Sequence, residues 1–137
     1  MAGYAQHLTQ IINPNIRTLR TRYLSEALEP SGTVNRPYLV LPTNGVIDGS
    51  DVENTLEISF DEMSHDVYQY TYRVLHCNKD WTESDISSFE YIDGFTNADI
   101  VDYEHSLNTQ RSYTHYWFEF PNNDMQIKAS GNYVLQI

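Results

Sequence analysis

The sequence predicts an all-β fold, an antiparallel β-sandwich of the immunoglobulin/fibronectin kind with at most one short helix. Three observations carry this. Three segments alternate apolar and polar residues with the strand period of two. Turn signals separate them, and no stretch has the length and spacing of a long amphipathic helix. Tyrosine is also abundant, with 11 Tyr beside 5 Phe and 2 Trp, and its half-apolar ring suits a pleated, half-buried surface.

Residues 1–15 read as an N-terminal arm, poorly ordered or an edge segment, with Pro14 closing any helix begun over Leu8–Ile12. Residues 16–137 read as one sandwich domain, a size that closes a proper core. Ile16–Leu24 favours a strand over a helix. Leu28–Asn35 is a loop around Glu29-Pro30-Ser31-Gly32, Arg36–Leu41 an edge strand, and Pro42–Asp51 a run of turns. Thr55–Glu62 puts Leu56, Ile58 and Phe60 on one face, with Glu57, Ser59 and Asp61 opposite. Val67–His76 puts Tyr68, Tyr70, Tyr72 and Val74 together, and Ser112–Phe120 does so for Thr114, Tyr116, Phe118 and Phe120. Asn78–Arg111 has weak periodicity, with one helical turn expected where Thr82 and Ser84 precede Asp85 and Ile86. A last strand follows Ser130-Gly131-Asn132 and stops at Ile137 within its run, which reads as a domain cut from a longer protein.

The formal net charge is −11, and fifteen of the nineteen acids lie between Asp48 and Glu104, against only Arg73 and Lys79. A surface of that sign repels phosphate backbones and anionic lipid, so nucleic acid is not an expected partner. No apolar run approaches the ~20 residues of a membrane helix, so no membrane insertion is expected. Met1–His7 lacks the basic and apolar regions of a signal peptide. Cys77 is the single cysteine, so no intrachain disulfide is possible and the fold must rest on its core.

No catalytic constellation assembles in the sequence. His76, Cys77 and Asp80 are too few for a structural zinc site, and no second ligand pair stands at zinc spacing. Cys77 sits among acids, which oppose thiolate formation, and no nucleophile elbow is present. Asp48-Gly49-Ser50-Asp51 and Asp93-Gly94 resemble fragments of calcium loops without the spacing of one. No enzyme activity, metal or cofactor is therefore expected. An alternative function is a carbohydrate-binding module, with Tyr68, Tyr70, Tyr72, Trp81 and Trp117 as an exposed aromatic platform. Tyrosines at period two more often make a core face.

One ordered series of motifs stands out. Tyr70-Thr-Tyr72-Arg-Val-Leu-His76-Cys77-Asn78-Lys-Asp80-Trp81 is followed by Ser84, then Glu90-Tyr91-Ile92-Asp93-Gly94-Phe95. Asp102-Tyr103-Glu-His-Ser106-Leu-Asn108-Thr109, Tyr113-Thr-His115-Tyr116, Pro121-Asn122 and Ser130-Gly131-Asn132-Tyr133 complete it. The series resembles the first domain of the type IX secretion system plug protein of Bacteroidetes, formerly a domain of unknown function. The resemblance covers roughly residues 54–137 strongly and 16–53 loosely.

It implies a non-catalytic interaction module of a periplasmic protein, associated with the outer membrane, that closes the pore of the translocon barrel. The implied partners are that barrel and the remaining domains of the same full-length protein. His76, Cys77, Asn78, Asp80, Trp81, Asp93, Gly94, Phe95, Asn108, Asn132 and Tyr133 read as fold-specifying. Asn and Asp side chains cap a polar corner, Trp81 covers the core edge, and Phe95 returns to the core after a tight turn at Asp93-Gly94. Asp93, Asp99, Asp102 and Glu104 are the candidate partner-facing acids.

Overall fold

The computed structural model describes residues 10–24, 40, 55–64, 66–107 and 110–137. The edge strand and turns expected over 36–51 therefore lie outside the described residues, apart from Val40, as does Asn108. The strands are β1 (Ile16–Tyr23), β2 (Leu56–Glu62), β3 (Tyr70–Cys77), β4 (Ile92–Gly94), β5 (Asn97–Ile100), β6 (Asp102–His105), β7 (Thr114–Phe120), β8 (Met125–Ile127) and β9 (Asn132–Gln136). All pair antiparallel. One sheet has the order β1-β2-β7-β6, a second β5-β3-β9, and β4 and β8 form a separate ribbon.

The two sheets meet through aromatic side chains, as the period-two reading anticipates. From β2 and β7, Leu56, Ile58, Phe60, Tyr116, Phe118 and Phe120 point inward and are buried. From the facing sheet come Tyr72, Val74 and Ile100, and the ribbon adds Ile92, Met125 and Ile127 to the same core. Tyr72 stacks on Phe118 with ring centroids 4.1 Å apart. Tyr70 stands edge-on to Phe60 at 5.2 Å and to Tyr116 at 5.0 Å. Offset and edge-on geometries align the positive ring edge with the negative face, adding to the burial itself.

Glu62 extends the inward row of β2 (Leu56, Ile58, Phe60) by one more alternation, and its side chain is fully buried. A buried charge is tolerated only when hydrogen-bonded. The Tyr70 hydroxyl donates to Glu62 Oε2 at 2.5 Å and the Ser64 N–H donates to Oε1 at 2.8 Å. Burial opposes ionisation, but these donors outweigh it and hold the carboxyl below its ordinary 4.5. Tyr70 is pushed the other way, first by burial and then by its bond to Glu62. Beside it, the Tyr116 hydroxyl accepts from the Tyr68 N–H at 3.2 Å and donates to the Tyr68 carbonyl at 3.1 Å.

Two expectations are corrected here. The helical turn lies at Ser88–Tyr91 (α1), not over Thr82–Ile86. The earlier stretch is instead held against β3, with Cys77 bridged to Glu83 and the Ser84 N–H donating to the His76 carbonyl at 2.9 Å. The weakly periodic segment also contains three strands, β4 to β6, each of three or four residues. Alternation over so few residues gives no readable period.

Glu62→Gln keeps the shape but forces an N–H towards one of the two donors. It is expected to cost about 1.5–3 kcal/mol in urea unfolding at neutral pH. Because the folded carboxyl titrates below its unfolded value, its contribution is complete above about 4.5 and is lost as pH falls through the folded value. The gap between wild type and variant should therefore shrink in acid.

Candidate interaction surface

The corner after β3 is built from the first motif. His76 is buried between Tyr91 and Tyr133, with ring centroids 5.7 and 5.1 Å away. Its Nε2 lies 3.0 Å from the Ser130 carbonyl, which only accepts, so Nε2 carries a proton. Nδ1 lies 2.7 Å from Ser84 Oγ. Gly131 packs directly on this ring. Its φ is +147°, and a Cβ placed there would fall 2.2 Å from His76 Nε2.

The turn that follows is held by side chains. Asp80 Oδ1 accepts from the Thr82 N–H at 3.1 Å and the Thr82 hydroxyl at 2.6 Å, which hold its carboxyl below the usual range. Asn78 Nδ2 donates to Thr82 Oγ1 at 3.1 Å, and Asn132 Nδ2 to the Asn78 carbonyl at 3.4 Å. The Tyr133 hydroxyl donates to the Ala129 carbonyl at 2.6 Å. Cys77 is a buried free thiol, pushed up first by burial and then by the charges of Glu83 and Asp80. That setting disfavours the reactive thiolate.

The expected role of Phe95 needs correction. Phe95 does not return to the core and is 65% exposed. Gly94, at φ +108°, brings the chain so close to Asp124 that a Cβ would fall 2.2 Å from its carbonyl oxygen, and the Phe95 N–H bonds that oxygen at 2.7 Å. The backbone is tied to β8 there while the ring is left outside. Trp81 is half-buried and in the left-handed region, φ 66°, and is not among the buried core residues. Its truncation to alanine should therefore cost less than the ~3–5 kcal/mol of a fully buried tryptophan.

The aromatic platform is not assembled. Tyr72 is interior, Tyr70 half-buried and Tyr68 on the rim, while Trp117 alternates with Tyr116 and Phe118 and so points to the outer face of β7. There it stacks on His115 with ring centroids 5.6 Å apart.

Asp93, Asp99, Asp102 and Glu104 are all exposed, on β4, β5 and β6. Asp99 and Asp102 line one groove of about 310 Å³ with Glu119 and Asp124, between Trp117, Val101 and Asn122. Glu104 lies farther along β6, in register with His115, and Asp93 sits apart on β4 opposite Gln126. Sequence reasoning missed Glu119 and Asp124 as members of this surface. Asn122 organises it. Its Oδ1 accepts from the Asp124 and Met125 N–H groups at 2.9 and 3.0 Å, and its Nδ2 donates to the Tyr72 hydroxyl at 2.5 Å.

The family described as "Type 9 secretion system plug protein 1st domain" matches residues 43–137. The chain belongs to that family. It is also similar to a solved structure, a hypothetical protein from Parabacteroides merdae, with 34% identity and a TM-score of 0.70 over 94% of this chain. The match spans 29% of that protein's chain. No curated protein matches. The matched range takes in the His76–Trp81 corner, the Gly94 crossing and the Asn122 turn.

Gly131→Ala should destabilise the domain by about 1–3 kcal/mol through backbone strain and collision with His76. In a His76→Ala background the collision is gone, so the penalty should fall, and a thermodynamic cycle of melting curves reads the difference. Among the described residues no group of three or more His, Cys, Asp or Glu is placed to hold a metal ion. Chelation by EDTA is expected to leave the melting temperature unchanged.

Proposed function

We propose that this plug-family domain is a non-catalytic interaction module of a periplasmic protein that closes the outer-membrane translocon pore of the type IX secretion system. The observation that carries the reading is membership of the plug family over residues 43–137. The interior of the domain is consistent with it. Its buried polar groups are spent on mutual hydrogen bonds, as at Glu62 and His76, and its one thiol is buried.

The exposed acids then become the contact chemistry. Asp93, Asp99, Asp102 and Glu104 meet lysine or arginine on the barrel's periplasmic mouth. Charge complementarity of this kind accelerates and orients encounter more than it deepens affinity, which suits a plug that must also be displaced. The remaining domains of the full-length protein supply further contacts.

Affinity purification of the full-length protein from its host envelope should recover a large outer-membrane barrel. Its repeated absence would reject the reading. Neutralising the four acids together should slow association with that barrel, with the difference fading at high salt.

A further inference from the structure

The four-stranded sheet ends in two unlike edges. On β1, Arg17, Arg20 and Arg22 stand opposite Asp61, Ser59 and Glu57 of β2, and Arg22 is engaged in an ion pair with Glu57 at 3.0 Å. On β6, the acids Asp102 and Glu104 lie in register with Trp117 and His115 on the outer face. All four residues of β6 are exposed.

The backbone of β6 is paired on one side. The Ser106 N–H donates to the Tyr113 carbonyl at 2.9 Å, one step beyond the His105–Thr114 pair. Bonded positions alternate along an antiparallel ladder, so Asp102 and Glu104 also turn their N–H and C=O groups towards β7. Tyr103 and His105 turn theirs away from it, and among the described residues no strand lies on that side. The Tyr103 side chain shares the inward face of Tyr116, its partner in register. Its ring lies 5.7 Å from Tyr116, which in turn lies 5.0 Å from Tyr70, yet Tyr103 is 46% exposed. The aromatic row thus ends in a ring with one flank uncovered.

One kind of ligand fits all of these features. Free N–H and C=O groups at alternate residues pair with an extended chain. Residues directly opposite on paired strands share a face. The residue opposite Tyr103 is then apolar, and those opposite Asp102 and Glu104 are Lys or Arg. Acids on an edge also discourage pairing with the wrong strand. Here they repel a second copy of this chain, whose net charge is −11, and attract a basic segment.

We propose that the free edge of β6 is a strand-addition site, which takes an extended segment of a partner polypeptide alternating apolar residues with Lys or Arg. The segment pairs antiparallel through Tyr103 and His105, a form of contact that rests on the reading of Asp102 and Glu104 as partner-facing.

The test titrates the ¹⁵N-labelled chain with acetyl-Lys-Val-Lys-Val-Lys-amide. One parallel arm uses the same peptide N-methylated at both valines, which keeps the charge but removes the N–H groups that would face β6. A second replaces each Lys with Glu. Saturable shifts at the Tyr103 and His105 amides with the basic peptide are expected, together with slowed hydrogen exchange of both. N-methylation and the Glu peptide should each abolish them, and Asp102→Asn combined with Glu104→Gln should weaken binding at least tenfold. Equal response to the N-methylated peptide, unchanged binding in the double variant, or no saturable shift would overturn the site. Concentration-dependent shifts of the same amides without peptide would assign the edge to a second copy and overturn the basic occupant. No barrel is present, so the edge can fail here while the pore reading still stands or falls by the envelope purification.

Discussion

Among the described residues no backbone ladder joins the two sheets, and the aromatic seam between β3 and the β2–β7 pair holds them together. Tyr72 lies flat on Phe118, and Tyr70 stands edge-on between Phe60 and Tyr116. Tyrosine rather than phenylalanine at these places has a further effect. Each hydroxyl leaves the apolar zone carrying a polar group that must be satisfied. Tyr70 finds Glu62, Tyr116 the backbone of Tyr68, and Tyr72 the side chain of Asn122. The seam therefore fixes the rim of the sandwich as well as its middle. Asn122, anchored on Tyr72, sets the turn that carries Asp124 into the acidic groove.

Much of this was legible in the sequence, for a definite reason. β2, β3 and β7 are seven or eight residues long and alternate over most of their length, so period two reveals both the strands and their inward faces. The same rule, carried one step further, would have placed Glu62 inside, since it shares parity with Phe60. The polar identity of the residue hid what its position stated. β5 and β6 were illegible because the adjacent apolar pair Ile100-Val101 breaks alternation. Ile100, paired beside Tyr70 of β3, is buried while Val101 is 73% exposed. Phe95 was misjudged because composition favours burying a phenylalanine, whereas the close crossing of Gly94 and Asp124 decides where the chain goes. The grouping of Asp99 and Asp102 with Glu119 and Asp124 depends on strand order, which no local pattern encodes.

Strand order also separates the two charged regions. β1 and β6 are the opposite edges of one four-stranded sheet, about 14 Å apart at the usual interstrand spacing. The arginines lie along one edge and Asp102 and Glu104 along the other, with the His115–Trp117 stack between them. A chain so acidic would otherwise present nearly uniform potential. This sheet instead presents a graded one.

The continuous run from β5 to β6 has a mechanical meaning. Asn97–Ile100 is hydrogen-bonded to β3 in one sheet, and Asp102–His105 to β7 in the other, with Val101 alone between them. One stretch of backbone is thus stitched into both layers. A force on either sheet passes to its neighbour along covalent bonds, not only through side chains that slide. Prising the layers apart requires stripping the β5–β3 or the β6–β7 ladder. Where the load runs along the strand, the ladder's bonds share it and yield together, not one after another. Against wedging the domain then behaves as a riveted plate does, with the crossing as the rivet and the stacked rings as the filling between its layers.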